Sequence, residues 1–166
     1  MEFVGINREN QIYAIVGREE LQSEPFDEEF YSNITRLPNE LVFITISDPN
    51  KPNVDDKGYF KDKLELKFWD VEEDIGNYTP INITQAKEIY DFIITHKDAE
   101  FLINCEAGVS RSAGVGLAIE YLLRDKYIYP KWEHFPSKVL SHWRYTPNMT
   151  VFNMIISFED TVIEKE

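Results

Sequence analysis

Mostly apolar segments recur along this chain, and their patterning predicts four β-strands. Residues 11–17 and 41–47 are nearly continuous apolar runs, and the second is rich in β-branched side chains, which is typical of a strand buried on both faces. Residues 64–69 alternate between apolar and polar, which predicts a strand with one solvated face. Residues 100–104 predict a fourth strand, so the strand candidates are spread along most of the sequence.

Helical patterns fill the intervals between these strands. Residues 18–23 predict a short helix, and Asn82 with Gln85 has the capping-box spacing that starts a longer one. The longer helix places five side chains on one face, namely Ala86, Ile89, Tyr90, Ile93 and Ile94. Three further helices are predicted over residues 112–126, 137–143 and 150–163. The polar stretches 50–63 and 70–80 both contain Pro and Gly, which predicts loops.

Strands that alternate with helices predict an α/β fold with a central, mostly parallel sheet flanked by helices on both faces. Ligands of such sheets bind at the carboxyl ends of the strands. Asp70 follows the third predicted strand and Cys105 follows the fourth. We therefore expect both side chains at the same edge of the sheet.

Length and composition predict one domain over residues 1–166. A chain of 166 residues with 43% hydrophobic residues can bury a core without covalent staples. Its single cysteine excludes an internal disulfide and favours a reducing compartment, most simply the cytoplasm. The first residues lack the basic-then-apolar plan of a signal peptide, and no apolar run is long enough to predict a transmembrane helix.

A formal net charge of −13 narrows the range of partners. Such a charge argues against extended contact with nucleic acid or with an anionic membrane, and its simplest role is solubility. It also opposes the approach of a phosphorylated substrate. Any phosphate site in this chain must therefore supply strong local attraction.

The strongest candidate for chemistry is the loop that begins at Cys105. Arg111 follows after five intervening residues and Ser112 comes next, with a predicted strand before the loop and a predicted helix after it. A strand–loop–helix connection turns backbone N–H groups toward one point, which suits a phosphate or another tetrahedral anion. A sulfur nucleophile at its base makes phosphoryl transfer the candidate reaction.

Each residue type in the loop fits that chemistry. The helix N-terminus and the Arg111 cation would stabilise a thiolate, and the planar guanidinium can hold two phosphate oxygens at once. Gly108 permits a tight turn with positive φ. Ser112 is expected to cap the helix and to donate a hydrogen bond to the sulfur when the sulfur leaves. Glu106 opposes a phosphate unless its carboxylate points outward.

With its flanks, the segment 104–112 resembles the signature loop of the cysteine-dependent protein tyrosine and dual-specificity phosphatases, whose pattern is His-Cys, five residues, Arg, then Ser or Thr. The smaller dual-specificity type is the nearer match, including its compact bacterial and phage members. The resemblance covers residues 41–158 approximately and has four parts: the strand 41–47, the acidic loop after Trp69, the signature loop, and Pro147-Asn148 with Phe152.

The resemblance implies a phosphoprotein phosphatase that acts on phosphotyrosine, with phosphoserine and phosphothreonine as further candidates. Cys105 would attack phosphorus and form a cysteinyl-phosphate, and an aspartate would protonate the leaving oxygen and then activate water. No metal and no cofactor are implied, and phosphate or sulfate would occupy the site as simple anions. The equatorial oxygens would be held by the Arg111 side chain and by the backbone N–H groups of Glu106, Ala107, Gly108, Val109, Ser110 and Arg111.

Asp70 and Asp74 are the candidates for that acid, because the resemblance places it on a loop upstream of the cysteine. Asp70 lies 35 positions before Cys105 and Asp74 lies 31 positions before it. Asp70 directly follows a predicted strand, which would fix its position better than that of a mid-loop residue, so Asp70 is preferred. Glu72 and Glu73 are more distant options.

Two asparagines are supporting candidates by resemblance. Asn104 stands where the family has His, whose role there is to support the loop and to favour the thiolate. Because Asn can hydrogen-bond but cannot carry a positive charge, we expect a working but slower enzyme whose thiolate forms less readily. Asn148 resembles the family's late Asn near the site.

Three other functions stay open. A pseudophosphatase would bind phosphorylated partners without turnover, and Asn104 keeps that alternative open. A phosphatase of phosphoinositides, nucleotides or RNA 5′-phosphates is expected to carry Lys or Arg inside the loop, and residues 106–110 hold none. Arsenate reduction or sulfur transfer could use the same spacing, but related reductases need resolving cysteines and this chain has one cysteine.

His96, His134 and His142 lack metal-ligand spacing and are interpreted as surface or packing residues.

Overall fold

A computed structural model describes residues 12–22, 40–55 and 60–163, and these residues form an α/β fold around one parallel sheet. The four described strands are β1 (Ile12–Gly17), β2 (Leu41–Ser47), β3 (Lys63–Lys67) and β4 (Glu100–Cys105). All neighbouring strands pair in parallel, in the order β1-β4-β2-β3. The predicted fold class is therefore confirmed.

The register of the sheet brings the carboxyl ends of all four strands to one edge. Gly17 of β1 pairs with Cys105 of β4, and Ser47 of β2 pairs with Lys67 of β3. β4 lies between β1 and β2, and every residue of these three strands is buried. The segments that follow the strands therefore meet beside Cys105, which is the last residue of β4.

Helices lie on both faces of the sheet. The described helices are α1 (Arg18–Gln22), α2 (Ile83–Thr95), α3 (Arg111–Leu123), α4 (Lys138–Ser141) and α5 (Met149–Ile163), with a 3-10 helix at Trp132–His134. Helices α2, α3 and α5 cover one face, where α3 contacts β4 and β1 while α5 packs on α2 and α3. The other face packs against α1 and the loop after β2 through a second cluster that includes Tyr13, Leu21 and Phe43.

Helix α3 is buried along most of its length because it lies between the sheet and α5. Two of its glycines make this packing possible. A Cβ at Gly114 would lie 2.7 Å from the carbonyl oxygen of Asn148, and a Cβ at Gly116 would lie 2.8 Å from Cδ1 of Ile15. The two glycines therefore allow β1 and the start of α5 to approach α3 closely, and this approach brings Asn148 next to the loop that precedes α3.

Boundaries in the first two thirds of the chain agree with the sequence predictions to within a few residues. Gln11 and Ser23 lie outside the described residues, so the predicted element ends at these positions stay predictions. The capping box is confirmed, since Gln85 N donates to Asn82 Oδ1 at 2.8 Å. Of the five side chains predicted to share one face of α2, Ala86, Ile89 and Ile93 are buried. Ile94 is 40% exposed, so it lies at the edge of the face that packs on the core.

The C-terminal third differs more from the prediction. Helix α3 ends at Leu123 rather than near residue 126, and the 3-10 helix that follows later was not predicted. The predicted helix 137–143 is a single turn, α4, whose N-cap Ser137 accepts a hydrogen bond from Leu140 N at 3.0 Å. Helix α5 matches its predicted range to within one residue at its start.

Candidate active site

Cys105 holds its sulfur beside the first turn of α3. The Sγ atom is 3.0 Å from Ser112 Oγ and 3.4 Å from Ser112 N, and both of these groups can donate to a thiolate. The predicted contact between this hydroxyl and the sulfur is therefore present. Ser112 is the second residue of α3 and Ser110 occupies the N-cap position, so the prediction that Ser112 caps the helix is wrong.

The loop 106–110 turns carbonyl groups outward. Glu106, Val109 and Ser110 each accept a hydrogen bond at 3.0 Å from a backbone N–H outside the loop, and these donors belong to α1 and to the segment 146–148. Because the C=O and N–H of a trans peptide point in opposite directions, the N–H groups that follow these carbonyls are directed inward. The loop thus forms a cup of amide donors, an arrangement that suits an anion.

Gly108 fixes the middle of this cup on the end of β1. Its φ is +70°, so the predicted positive φ is confirmed. A Cβ at this position would come within 2.3 Å of Gly17 N, and a Cβ at Gly17 would come within 2.9 Å of Ala107 O. Both the backbone conformation and the close approach therefore require glycine at position 108.

Arg111 closes the cup at the start of α3 and is 4% exposed. Its Nη1 donates to Asp48 Oδ1 at 2.8 Å and to Phe68 O at 2.7 Å. Its Nε is buried and has no hydrogen-bond partner among the described residues. Leaving a buried donor unsatisfied costs about 1–3 kcal/mol, and an anion in the cup would supply the missing acceptor.

Asn104 lies buried in β4, directly before Cys105. Its Oδ1 accepts a hydrogen bond from Thr45 Oγ1 at 2.7 Å, and its Nδ2 donates to the carbonyl oxygens of Val16 and Cys105, both at 3.2 Å. These bonds join β1, β2 and β4 at the base of the loop. Asn104 therefore occupies a supporting position and brings no positive charge to it.

Asp70 reaches the loop from the segment after β3. Its Oδ1 accepts hydrogen bonds from Ser110 Oγ at 2.8 Å and from Asn148 Nδ2 at 3.1 Å. Asn148 also donates to Val71 O at 3.2 Å, so it holds two successive residues of the acidic loop. The structure thus brings Asp70 and Asn148, both selected from the sequence, together beside Ser110 of the loop 106–110.

A pocket of about 370 Å³ opens beside this contact. Asp70, Glu72 and Glu73 line it, together with Ser110. Asp70 and Asp74 are both exposed, but Asp70 lines the pocket and accepts a hydrogen bond from Ser110, whereas Asp74 does not line the pocket. Between the two candidate acids, the geometry therefore favours Asp70.

Glu106 directs its carboxylate toward Lys51, in the turn after β2. Lys51 Nζ lies 2.9 Å from Glu106 Oε1 and 3.9 Å from Asp48 Oδ2. Arg18 Nη1 lies 4.0 Å from Glu106 Oε2. The carboxylate that follows the nucleophile is thus paired with cations from neighbouring segments.

Arg144 and Glu20 form an ion pair on the outer side of the loop. Both terminal nitrogens of Arg144 contact the carboxylate, and Nη2 is also 3.5 Å from Ala107 O. Gly17 N donates to Glu20 Oε1 at 3.0 Å. Burial raises the pKa of Glu20, but the hydrogen bonds from Arg144 and Gly17 and the Arg144 charge outweigh burial, so this pKa lies below its usual value.

Several residues of the site were not selected from the sequence, among them Asp48, Lys51 and Arg144. Asp48 follows β2 at the same edge as Asp70, so the rule that ligands lie at the carboxyl ends of parallel strands could have selected it. Its Asp-Pro-Asn context indicated only a turn. Lys51 and Arg144 gave no such signal, because their partners lie 55 and 124 positions away in the sequence.

Two of the histidines make contacts typical of surface or packing residues. His96 Nε2 is 3.0 Å from Asp62 Oδ2, and the His142 ring packs on Trp143 and Tyr145. Within the described ranges, no group of three or more His, Cys, Asp or Glu side chains could hold a metal ion. None of the helices described has the length and apolar composition needed to cross a membrane.

Known proteins resemble this chain in structure rather than in sequence. No protein-family model matches it, and no curated protein sequence matches it. PTPMT1 in complex with PI(5)P has a TM-score of 0.58 at 10% identity, over 99% of this chain and 97% of that one. Human DUSP28 has a TM-score of 0.53 at 10% identity, over 100% of both chains. The human tyrosine phosphatase-like serine/threonine/tyrosine-interacting protein has a TM-score of 0.53 at 16% identity, over 82% of this chain and 86% of its own.

At these identities the likeness shows the fold. The chain has the fold of the dual-specificity phosphatases, with a parallel sheet flanked by helices. The predicted phosphatase-like architecture is therefore confirmed.

Proposed function

We propose that this chain is a cysteine-dependent phosphoprotein phosphatase that acts through a cysteinyl-phosphate. The position of the Cys105 sulfur carries the proposal, since it lies beside two donors of Ser112 and at the base of a loop whose carbonyl groups face outward. Arg111 adds a buried N–H that lacks an acceptor among the described residues. The dual-specificity phosphatase fold supports the same function.

In the first step, the Cys105 thiolate attacks phosphorus. An S–P bond forms, the P–O bond to the leaving group breaks, and Asp70 gives its proton to the leaving oxygen. The inward N–H groups of the loop and Arg111 hold the equatorial oxygens, on which charge develops. Asp48 fixes the guanidinium through its 2.8 Å contact with Arg111 Nη1.

In the second step, water attacks the phosphocysteine. Asp70 accepts a proton from the water, the S–P bond breaks, and inorganic phosphate leaves. The sulfur departs as a thiolate, and Ser112 Oγ is placed 3.0 Å away to donate to it. Ser110 and Asn148 hold the Asp70 carboxylate for both proton transfers.

Hydrolysis of an aryl phosphate tests the proposal. The unmodified chain should release inorganic phosphate, and rapid quenching during turnover should trap a phosphorylated Cys105 detectable by mass spectrometry. Cys105→Ser should lose all turnover, because a serine hydroxyl at this position has no base to activate it. An active Cys105→Ser variant, or an unmodified chain without turnover, would contradict the proposal.

A pseudophosphatase that binds phosphorylated partners without turnover is the second candidate. The neutral Asn104 under the nucleophile favours it, as does the fold likeness to a human protein named as tyrosine phosphatase-like and as an interacting protein. Tight binding of a phosphopeptide by the unmodified chain, with no release of phosphate, would select this function over the first.

For substrate we propose phosphotyrosine in proteins or peptides, with phosphoserine and phosphothreonine as further candidates. PTPMT1 was solved with PI(5)P, so a headgroup phosphate is an alternative. The loop argues against it here, because residues 106–110 contain Glu106 and no Lys or Arg. Relative kcat/KM values on phosphopeptides and phosphoinositides decide between them.

The cytoplasmic location, the single domain and the bacterial or phage type stay predictions.

A further inference from the structure

Glu106 places a carboxylate next to the site that receives the phosphate. It follows Cys105 directly, and the cup begins at this residue. Its Oε1 bonds to Lys51 Nζ at 2.9 Å. Its Oε2 is buried without a hydrogen-bond partner among the described residues and lies 4.0 Å from Arg18 Nη1, a longer ion pair than the one with Lys51. An uncompensated negative charge here would repel a phosphate dianion at short range, in a chain that already carries −13.

Lys51 connects this carboxylate with the opposite end of the loop. Its Nζ lies 3.9 Å from Asp48 Oδ2, and Asp48 Oδ1 lies 2.8 Å from Arg111 Nη1. The charges therefore alternate along one row: Glu106 negative, Lys51 positive, Asp48 negative and Arg111 positive. Lys51 lies between two carboxylates. One belongs to Glu106, the first residue of the loop, and the other belongs to Asp48, which pairs with Arg111 just after the loop.

We propose that Lys51 is a positioning residue that holds the Glu106 carboxylate in an ion pair, so that this carboxylate does not enter the site that a phosphate would occupy. This inference deepens the proposed function and depends on the same site. It distinguishes Lys51 from a lysine that contacts substrate directly. If Lys51 acts through Glu106, its contribution to phosphate binding should disappear when the Glu106 charge is removed.

A double-mutant cycle that removes the charges of Lys51 and Glu106 singly and together tests this positioning role. Lys51→Met should weaken binding of inorganic phosphate by roughly three- to tenfold and raise KM for an aryl phosphate in parallel, with a smaller effect on kcat. Glu106→Gln should bind phosphate more tightly than the unmodified chain. The double variant Lys51→Met/Glu106→Gln should bind within about twofold of Glu106→Gln alone, and Lys51→Arg should retain binding.

Lys61→Met is the matched control. Like Lys51, Lys61 pairs with a glutamate, since its Nζ lies 2.5 Å from Glu40 Oε1. That pair lies at the start of β2, at the opposite edge of the sheet from the loop. Phosphate binding should be unchanged in this variant, and a loss equal to that of Lys51→Met would show that a general change in charge is responsible.

The inference is overturned if Lys51→Met binds phosphate as the unmodified chain does, or if Lys51→Met weakens binding equally with and without Glu106→Gln. The second result would make Lys51 a direct ligand of the anion. Because inorganic phosphate binding is measured by calorimetry without turnover, a chain that binds phosphate but hydrolyses nothing still decides the inference. In that case only the proposed function fails. A chain that does not bind phosphate overturns both.

Discussion

Two aspartates that follow neighbouring strands make different contacts beside the loop 106–110. Asp48, after β2, pairs with Arg111 Nη1 at 2.8 Å. Asp70, after β3, accepts hydrogen bonds from two neutral groups, Ser110 Oγ and Asn148 Nδ2, and lines an open pocket. A carboxylate fixed by neutral donors can exchange a proton with a bound leaving group, whereas one paired with a guanidinium cannot do so without breaking the pair.

The first prediction separates the two candidate acids. Asp70→Asn should lower kcat for an alkyl phosphate by about 10²–10⁴, because a poor leaving group needs protonation, and by much less for an aryl phosphate with a good leaving group. Asp74→Asn is the matched control and should leave both rates unchanged. Steady-state rates on the two substrates check this, and a reversed pattern would assign the acid to Asp74.

At the scale of elements, α1 is joined to the segment before α5 by the Glu20–Arg144 ion pair. Both elements also donate backbone hydrogen bonds to the outward carbonyl groups of the loop. The pair therefore stabilises the two segments that orient the cup, although neither side chain belongs to the cup itself.

The pH dependence of this pair has a defined sign. The pKa of Glu20 is lowered in the folded chain, because Arg144 and Gly17 outweigh burial. A lowered folded-state pKa contributes stability that is present above the unfolded value of about 4.3 and is lost as pH falls through the folded value. Glu20→Gln should therefore lower Tm at pH 7 by roughly 2–4 °C, and the difference should vanish at the acid end of a pH series. A difference that grew below pH about 4 would contradict this assignment.

Elements with strong local signals were predictable from the sequence. The apolar run 41–47 defined β2, and Asn82 with Gln85 marked the start of α2, because period and capping depend on neighbours in sequence. The positions of Cys105 and Asp70 followed from the rule for parallel strands. Arg144 could not be assigned this way, since its partner Glu20 lies 124 positions away and only the packed molecule brings them together.

At the scale of the whole molecule, the net charge of −13 should govern how substrates approach. Between about 10 mM and 150 mM salt the screening length falls from about 30 Å to about 8 Å. We expect kcat/KM for an acidic phosphopeptide to rise several-fold over this range, because long-range repulsion is screened first. A phosphopeptide with basic flanks should show the opposite trend. Parallel losses for both peptides would show that local contacts dominate.

The outward hydrogen bonds of the phosphate loop limit how far its chemistry can be separated from the rest of the chain. Residues 100–123 contain Cys105, Arg111 and Ser112, but backbone donors that orient the loop also come from α1 and from residues 146–148. Grafted alone onto another parallel sheet, this segment would keep the bond from Gly114 N to Ser110 O but would leave the carbonyl groups of Glu106 and Val109 without these partners. A working transplant must include the end of β1, the start of α1 and the 146–148 segment.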